Sequence, residues 1–189
     1  MEALLVSTGA VAVSEIGDKT QLLALLLASR FRKPIPIIGG ILVATVANHT
    51  LAALLGSWIG AALPSDYLRW GLGVLFLAMA GWVLIPDKVD EEVSCRVTAG
   101  GAFVATSVCF FLAEMGDKTQ IATLALAAQF GTVLPVIAGT TAGMLIADVP
   151  AVLCGQLAGD RLNPRWVRLA AALIFATLGV LTLFGISFV

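Results

Sequence analysis

The sequence predicts an all-α integral membrane protein, six transmembrane helices arranged as two inverted three-helix repeats, and three observations carry that reading. Of the 189 residues, 59% are hydrophobic and only 12% are charged, with a mean hydropathy of +1.00, where an ordinary soluble domain is about 25% charged. The apolar residues fall into long runs broken by charge or proline. A seven-residue polar string, Glu15-Ile16-Gly17-Asp18-Lys19-Thr20-Gln21, returns 99 positions later as Glu114-Met115-Gly116-Asp117-Lys118-Thr119-Gln120.

At about 20 residues per span, the runs predict helices over 3–29, 35–62, 67–85, 99–128, 134–158 and 166–188. The first starts behind Met1-Glu2, which lacks the basic lead of a signal peptide, and its counterpart before the second string is internal; it reads as a retained helix. It ends at Arg30-Phe31-Arg32-Lys33-Pro34, and the second ends at Pro64-Ser65-Asp66. The third runs to Pro86, where a charged linker begins. Gly131-Thr132 closes the fourth, and the segment from Gly159 to Pro164 separates the fifth from the sixth. Several runs exceed the length a span needs, which predicts tilted or interrupted helices.

Laying residues 15–31 on 114–130 gives ten identities in seventeen positions, and the register continues through Pro36/Pro135, Gly40/Gly139, Gly56/Gly155, Gly60/Gly159 and Arg69/Arg168. The chain therefore reads as one transmembrane domain over 1–189, with a first repeat at 1–85, a cytoplasmic linker at 86–98 and a second repeat at 99–189. Three helices per repeat, an odd number, make the second half enter from the opposite side. In transporters built this way, the substrate site lies near the midplane between the repeats. Arg30, Arg32, Lys33, Lys88, Arg96, Arg161, Arg165 and Arg168 fall on one side and only Arg69 on the other. The positive-inside rule makes the first side cytoplasmic and leaves both termini outside, in a multi-pass protein of the inner membrane.

Ionisable groups at bilayer depth cost roughly 2.5–3.5 kcal/mol each on insertion scales, so they are kept where they face the protein interior and act there. On a helix, positions three apart share a face, which would group Glu15 with Asp18 and Glu114 with Asp117. Two such faces meeting at the midplane make a four-carboxylate cluster of hard oxygen ligands, suited to Ca²⁺, Mn²⁺ or Mg²⁺. Gly17 and Gly116 leave the backbone approachable, while Thr20, Thr119, Gln21 and Gln120 could add neutral oxygens. With Lys19 and Lys118 ionised the cluster carries a net charge of −2, which one divalent cation or two protons would neutralise; that is the arithmetic of antiport. Helix-gluing ion pairs are the plainer account, and the symmetric repetition argues against it. In the second helix of each half, Asn48 and His49 align with Ala147 and Asp148. Asn48, His49 and Asp148 are candidates for proton relay or tuning, or for interhelical hydrogen bonding near Pro150.

The composition excludes other classes. A net charge of −1 offers no basic face for nucleic acid. Asp87, Asp90, Glu91 and Glu92 read as a solvated charge run. Cys95, Cys109 and Cys154 have no metal-like spacing and read as small apolar residues. No nucleophile–base pair or cofactor fingerprint appears, so neither an enzyme nor a resident cofactor is expected. The partners expected are a divalent cation and the lipid bilayer, and the sequence gives no oligomeric state.

The paired strings fit Glu-x-Gly-Asp-(Lys/Arg)-(Thr/Ser) without departure, and the whole chain resembles the membrane family once catalogued as uncharacterised protein family sixteen. That family includes the MneA-type manganese exporters of bacteria and the Golgi and chloroplast manganese/calcium transporters. The resemblance implies export of Mn²⁺, or Ca²⁺, in exchange for protons, with Glu15, Asp18, Glu114 and Asp117 as ligands. Lys19, Thr20, Lys118 and Thr119 come with the motif. The rival readings are a small exporter of amino acids or similar solutes, a passive cation channel, and a non-transporting scaffold.

Overall fold

Eight α-helices and no strand form among the residues that the structure, a computed structural model, describes: 1–85, 101–154 and 164–185. In chain order they are α1 (Glu2–Glu15), α2 (Lys19–Phe31), α3 (Pro34–Ala62), α4 (Ser65–Val83), α5 (Gly101–Glu114), α6 (Lys118–Phe130), α7 (Val133–Cys154) and α8 (Pro164–Leu183). The linker expected over 86–98, Arg161 and the far ends of the fifth and sixth expected helices lie outside the described residues.

Four of the expected helices correspond to single elements, α3, α4, α7 and α8. The other two, 3–29 and 99–128, are each broken at the polar string, which corrects the continuous helix on which Glu15 and Asp18 would share a face. The cause is local. Gly17 and Gly116 take φ of +82° and +79°, a left-handed conformation that suits glycine and ends a right-handed helix. Asp18 and Asp117 then stand in extended backbone as N-caps of the next helix. The exposed amides are met locally: Asp18 N–H donates to the Glu15 carbonyl at 3.0 Å and Asp117 N–H to that of Glu114 at 3.1 Å. The side chains of Gln21 and Gln120 accept from Gly17 N–H at 3.0 Å and Gly116 N–H at 2.7 Å. The break recurs in detail, with helices of 14 and then 13 residues in both copies. Even the far end repeats: Arg32 and Gly131, equivalent in the 99-residue register, both close their helix in the left-handed region.

Elsewhere proline sets the boundaries. Pro34 opens α3, where its missing N–H is no loss. Leu63, ahead of Pro64, is extended at φ −94° and ψ 141°, as the residue before a proline is pushed to be.

The halves interlock. α1 packs chiefly on α7 and α5 on α3; α2 also lies on α7, α6 on α3, and α4 on α8. Equivalent glycines permit the approach. A Cβ on Gly40 would stand 2.7 Å from Thr106 Cβ and 2.8 Å from the Phe103 carbonyl; one on Gly139 would stand 2.5 Å from the Leu4 carbonyl and 2.9 Å from Ser7 Cβ. Small residues at such seams let helix backbones touch in a membrane. One apolar cluster gathers Phe76, Met79, Leu126 and Phe175, and a second Ile37, Ile41, Phe110 and Met144. Cys109 sits in the second and is disulfide-bonded, so it is more than the apolar filler the sequence led us to expect.

The outside is apolar as well. Leu5, Leu26, Leu51, Leu54 and Leu173 are exposed, and Trp58, Tyr67, Trp70 and Trp166 are exposed close to helix ends, where aromatic side chains meet the membrane interface. α3 and the Val133–Leu153 stretch of α7 are long and apolar enough to cross a bilayer by length and composition. At about 1.5 Å per residue, the 14-residue α1 and α5 rise about 21 Å, short of the roughly 30 Å hydrocarbon core.

Candidate metal centre

Breaking the helix after Glu15 and after Glu114 puts each glutamate at a helix C-terminus and each aspartate at the next helix N-terminus, at a point where the two halves meet. Glu15, Glu114 and Asp117, all buried, each bring one carboxylate oxygen within 4.8 Å of the others. Glu15 Oε1, Glu114 Oε1 and Asp117 Oδ2 have no hydrogen-bond partner among the described residues. Buried anionic oxygens left without a donor are costly. Oxygens around one cation at 2.3–2.6 Å stand at most about 5 Å apart, so this span is one that a single ion can bridge.

The remaining oxygens of these acids are held, by the same device in each half. Thr20 Oγ1 donates to Glu15 Oε2 at 2.7 Å, and Thr119 Oγ1 to Glu114 Oε2 at 2.6 Å. Both threonines are fully buried. Each hydroxyl, the kind of outer partner that orients a ligand, fixes one oxygen of its glutamate and leaves the other without a partner among the described residues.

The lysines cross between halves. Lys19 Nζ donates to Asp117 Oδ1 at 2.9 Å, and Lys118 Nζ to Asp18 Oδ1 at 2.7 Å. Asp18, expected beside Glu15, is thus placed with Lys118 rather than with the three converging acids. With Lys19 counted beside Glu15, Glu114 and Asp117, and the Lys118–Asp18 pair neutral in sum, the formal balance of the centre is −2 when all are ionised.

The glutamines bind the site to the opposite half. Gln21 Nε2 donates to the Ala147 carbonyl on α7 at 3.0 Å, and Gln120 Nε2 to Asn48 Oδ1 on α3 at 3.2 Å. Asn48 Nδ2 in turn donates to the Phe111 carbonyl at 2.9 Å. Asn48 and Ala147 are equivalent in the repeat, so one half uses a side chain where the other uses a backbone carbonyl. His49 and Asp148 are fully buried, and neither ring nitrogen nor either carboxylate oxygen has a hydrogen-bond partner among the described residues. Asp148 is within electrostatic reach of both Glu15 and Glu114; His49 stands apart from the cluster's hydrogen bonds.

Sequence reasoning did not find the crossed lysines or the bridging glutamines. The lysines leave a signal. Asp18 and Lys19 are adjacent, and adjacent residues do not face each other on a helix, so each must find its partner elsewhere.

A lipid-facing helical protein with converging buried carboxylates at two interrupted helices has the construction of an ion-translocating membrane transporter. The chain belongs to the GDT1 family of divalent cation/proton antiporters, whose pattern matches residues 3–91 and 102–187. It is 54% identical over 185 residues, 97% of this chain and 92% of the other, to a Vibrio cholerae protein that bears the provisional name of manganese exporter. It is 31% identical over 193 residues, 91% of this chain and 92% of the other, to a GDT1-like protein of Synechocystis. A rice GDT1-like protein is 29% identical over 210 residues, 97% of this chain and 74% of its own length. No solved structure matches. The chain is therefore a membrane transporter for divalent cations.

Proposed function

We infer that the chain exports manganese(II), and calcium as a secondary substrate, across the inner membrane in exchange for protons. Glu15, Glu114 and Asp117 hold the cation between two inverted three-helix repeats, with both termini outside the cytoplasm. Asp18 is the fourth acid of the set, engaged by Lys118 in this conformation. The observation that carries the reading is the convergence of three buried carboxylate oxygens from both repeats within 4.8 Å. Hard oxygen donors without thiolate or imidazole favour Mn²⁺, Ca²⁺ or Mg²⁺. Manganese is preferred over the others on the name of the Vibrio cholerae relative. A site of net −2 is neutral with one divalent cation or with two protons, so either load suits a passage through lipid.

Metal uptake into inverted vesicles under an imposed pH gradient tests the proposal, comparing Mn²⁺, Ca²⁺, Mg²⁺ and Zn²⁺. We expect Mn²⁺ flux to dissipate the gradient in the wild type and to be abolished by Glu15→Gln, Glu114→Gln and Asp117→Asn. Flux that is independent of the gradient would make the protein a channel. Flux indifferent to all three substitutions would place the cation elsewhere.

A further inference from the structure

Lys19 and Lys118 hold equivalent places in the two strings, yet their ion pairs differ. The Lys118–Asp18 pair is sealed, its side chains 4% and 1% exposed, and Asp18 lies outside the converging trio. In the Lys19–Asp117 pair the lysine side chain is 29% exposed, and its partner is one of the trio. Asp117 thus faces two demands: its Oδ1 accepts from Lys19 at 2.9 Å, while its Oδ2 is buried without a partner among the described residues.

We propose that Lys19 is a tethered competitor for the cation site: its ammonium holds Asp117 while the site is empty, and an arriving divalent cation takes the carboxylate and displaces the ammonium to the rim of the site, where its charge still counts in the balance. The inference rests on the cation site proposed above. Two cations a few ångströms apart on one carboxylate repel, and the divalent one, with twice the charge and three acids as ligands, prevails over an ammonium in direct contact with Asp117 alone. Lys19 is free to leave because its side chain is flexible and already 29% exposed at the protein surface. Lys118 is not, because leaving Asp18 would strand a sealed charge.

Binding therefore opens one of the two crossed lysine–aspartate pairs and leaves the other closed. Occupancy of the site becomes a loosened contact on one side. When Lys19 returns to Asp117 it helps to expel the cation, so the lysine lowers affinity and raises turnover, which suits a site that must release what it binds.

The test uses the full chain in lipid nanodiscs. Mn²⁺ binding is measured by calorimetry in wild type, Lys19→Met, Lys19→Arg and Glu114→Gln. In the wild type, acylation of Lys19 and Lys118 by a water-soluble amine-reactive ester is followed by mass spectrometry with and without Mn²⁺. We expect Lys19→Met to bind Mn²⁺ at least about threefold more tightly and to transport it with a lower maximal rate, and Lys19→Arg to bind as the wild type does. Mn²⁺ should speed the labelling of Lys19 and leave Lys118 unlabelled. A lysine with a structural role alone gives weaker binding in Lys19→Met and no change in labelling; either result overturns the proposal. The labelling needs no variant, so misfolding of Lys19→Met cannot mask it. Wild-type binding that is lost in Glu114→Gln, with Lys19 labelling unchanged, overturns the competitor alone. Absent binding, or binding indifferent to Glu114→Gln, overturns the site and the competitor with it.

Discussion

Thr119→Val probes the site through a single atom. Valine keeps the shape of threonine, so the packing of a fully buried position is preserved while the donor to Glu114 Oε2 at 2.6 Å is removed. Glu114 Oε1 already lacks a partner, so the variant leaves the carboxylate with no hydrogen bond from Thr119 to orient it. A hydrogen bond to a charged group is worth about 1.5–3 kcal/mol, and at about 1.4 kcal/mol per tenfold that sets a ceiling of roughly 10- to 150-fold on the loss of cation affinity. The ceiling is reached only if the freed carboxylate relaxes fully in the empty protein. Its burial restricts that relaxation, so we expect the low end, about tenfold, as outer-partner losses at metal sites usually begin there. Calorimetric titration of Mn²⁺ in nanodiscs measures it. Thr119→Ser keeps the donor and should bind within about threefold of wild type. Thr123→Val removes a hydroxyl that bonds the Thr119 carbonyl and no acid, and should leave affinity unchanged. Equal binding by the Val and Ser variants at position 119 would refute the claim that the hydroxyl orients Glu114.

Three further outcomes follow from the backbone and the seams. Gly116→Ala meets nothing within 4 Å, so its whole cost is the left-handed backbone, about 1–2 kcal/mol, read as a lower Tm; Gly81→Ala, equally open but inside α4, should be neutral or stabilising by up to about 1 kcal/mol. Gly40→Ala forces a Cβ to 2.7 Å from Thr106 Cβ and should destabilise by about 1–3 kcal/mol, whereas Gly39→Ala, with its nearest neighbour at 3.5 Å, should be tolerated; equal Tm for the two would refute the close α3–α5 seam. Asn48→Leu strips Gln120 Nε2 of its partner and should cost about 1–3 kcal/mol, again measured by thermal unfolding.

Much of this arrangement is legible in the residues, and the illegible part has a physical cause. Glu15 and Glu114 are found in sequence because charge inside an apolar run is too expensive to be idle, and the 99-residue register that joins them also brings Gly40 and Gly139 into the same role at opposite seams. The break in the helix is not legible from composition alone. A glycine within an apolar run is tolerated in many helices; here Gly17 and Gly116 take a left-handed φ, and the Gln21 and Gln120 side chains accept from the glycine amides that the break frees. Once the helix is broken, the i, i+3 argument for Glu15 with Asp18 loses its basis, and Asp18 passes to Lys118.

The departures from the repeat are the most informative positions. Where the register replaces Asn48 by Ala147, the Gln120 contact to a side chain becomes the Gln21 contact to a backbone carbonyl, so the latch survives the substitution. Where it replaces His49 by Asp148, an acid comes within reach of both glutamates and nothing equivalent stands on the other side. Lys19 and Lys118 are the converse case: identical residues whose environments differ, one part-exposed and one sealed. Identical residues in unequal surroundings belong to the conformation, whereas unequal residues at equivalent places are written into the chain. The site therefore carries two asymmetries, one of surroundings in the two lysine–aspartate pairs and one of sequence at His49 and Asp148.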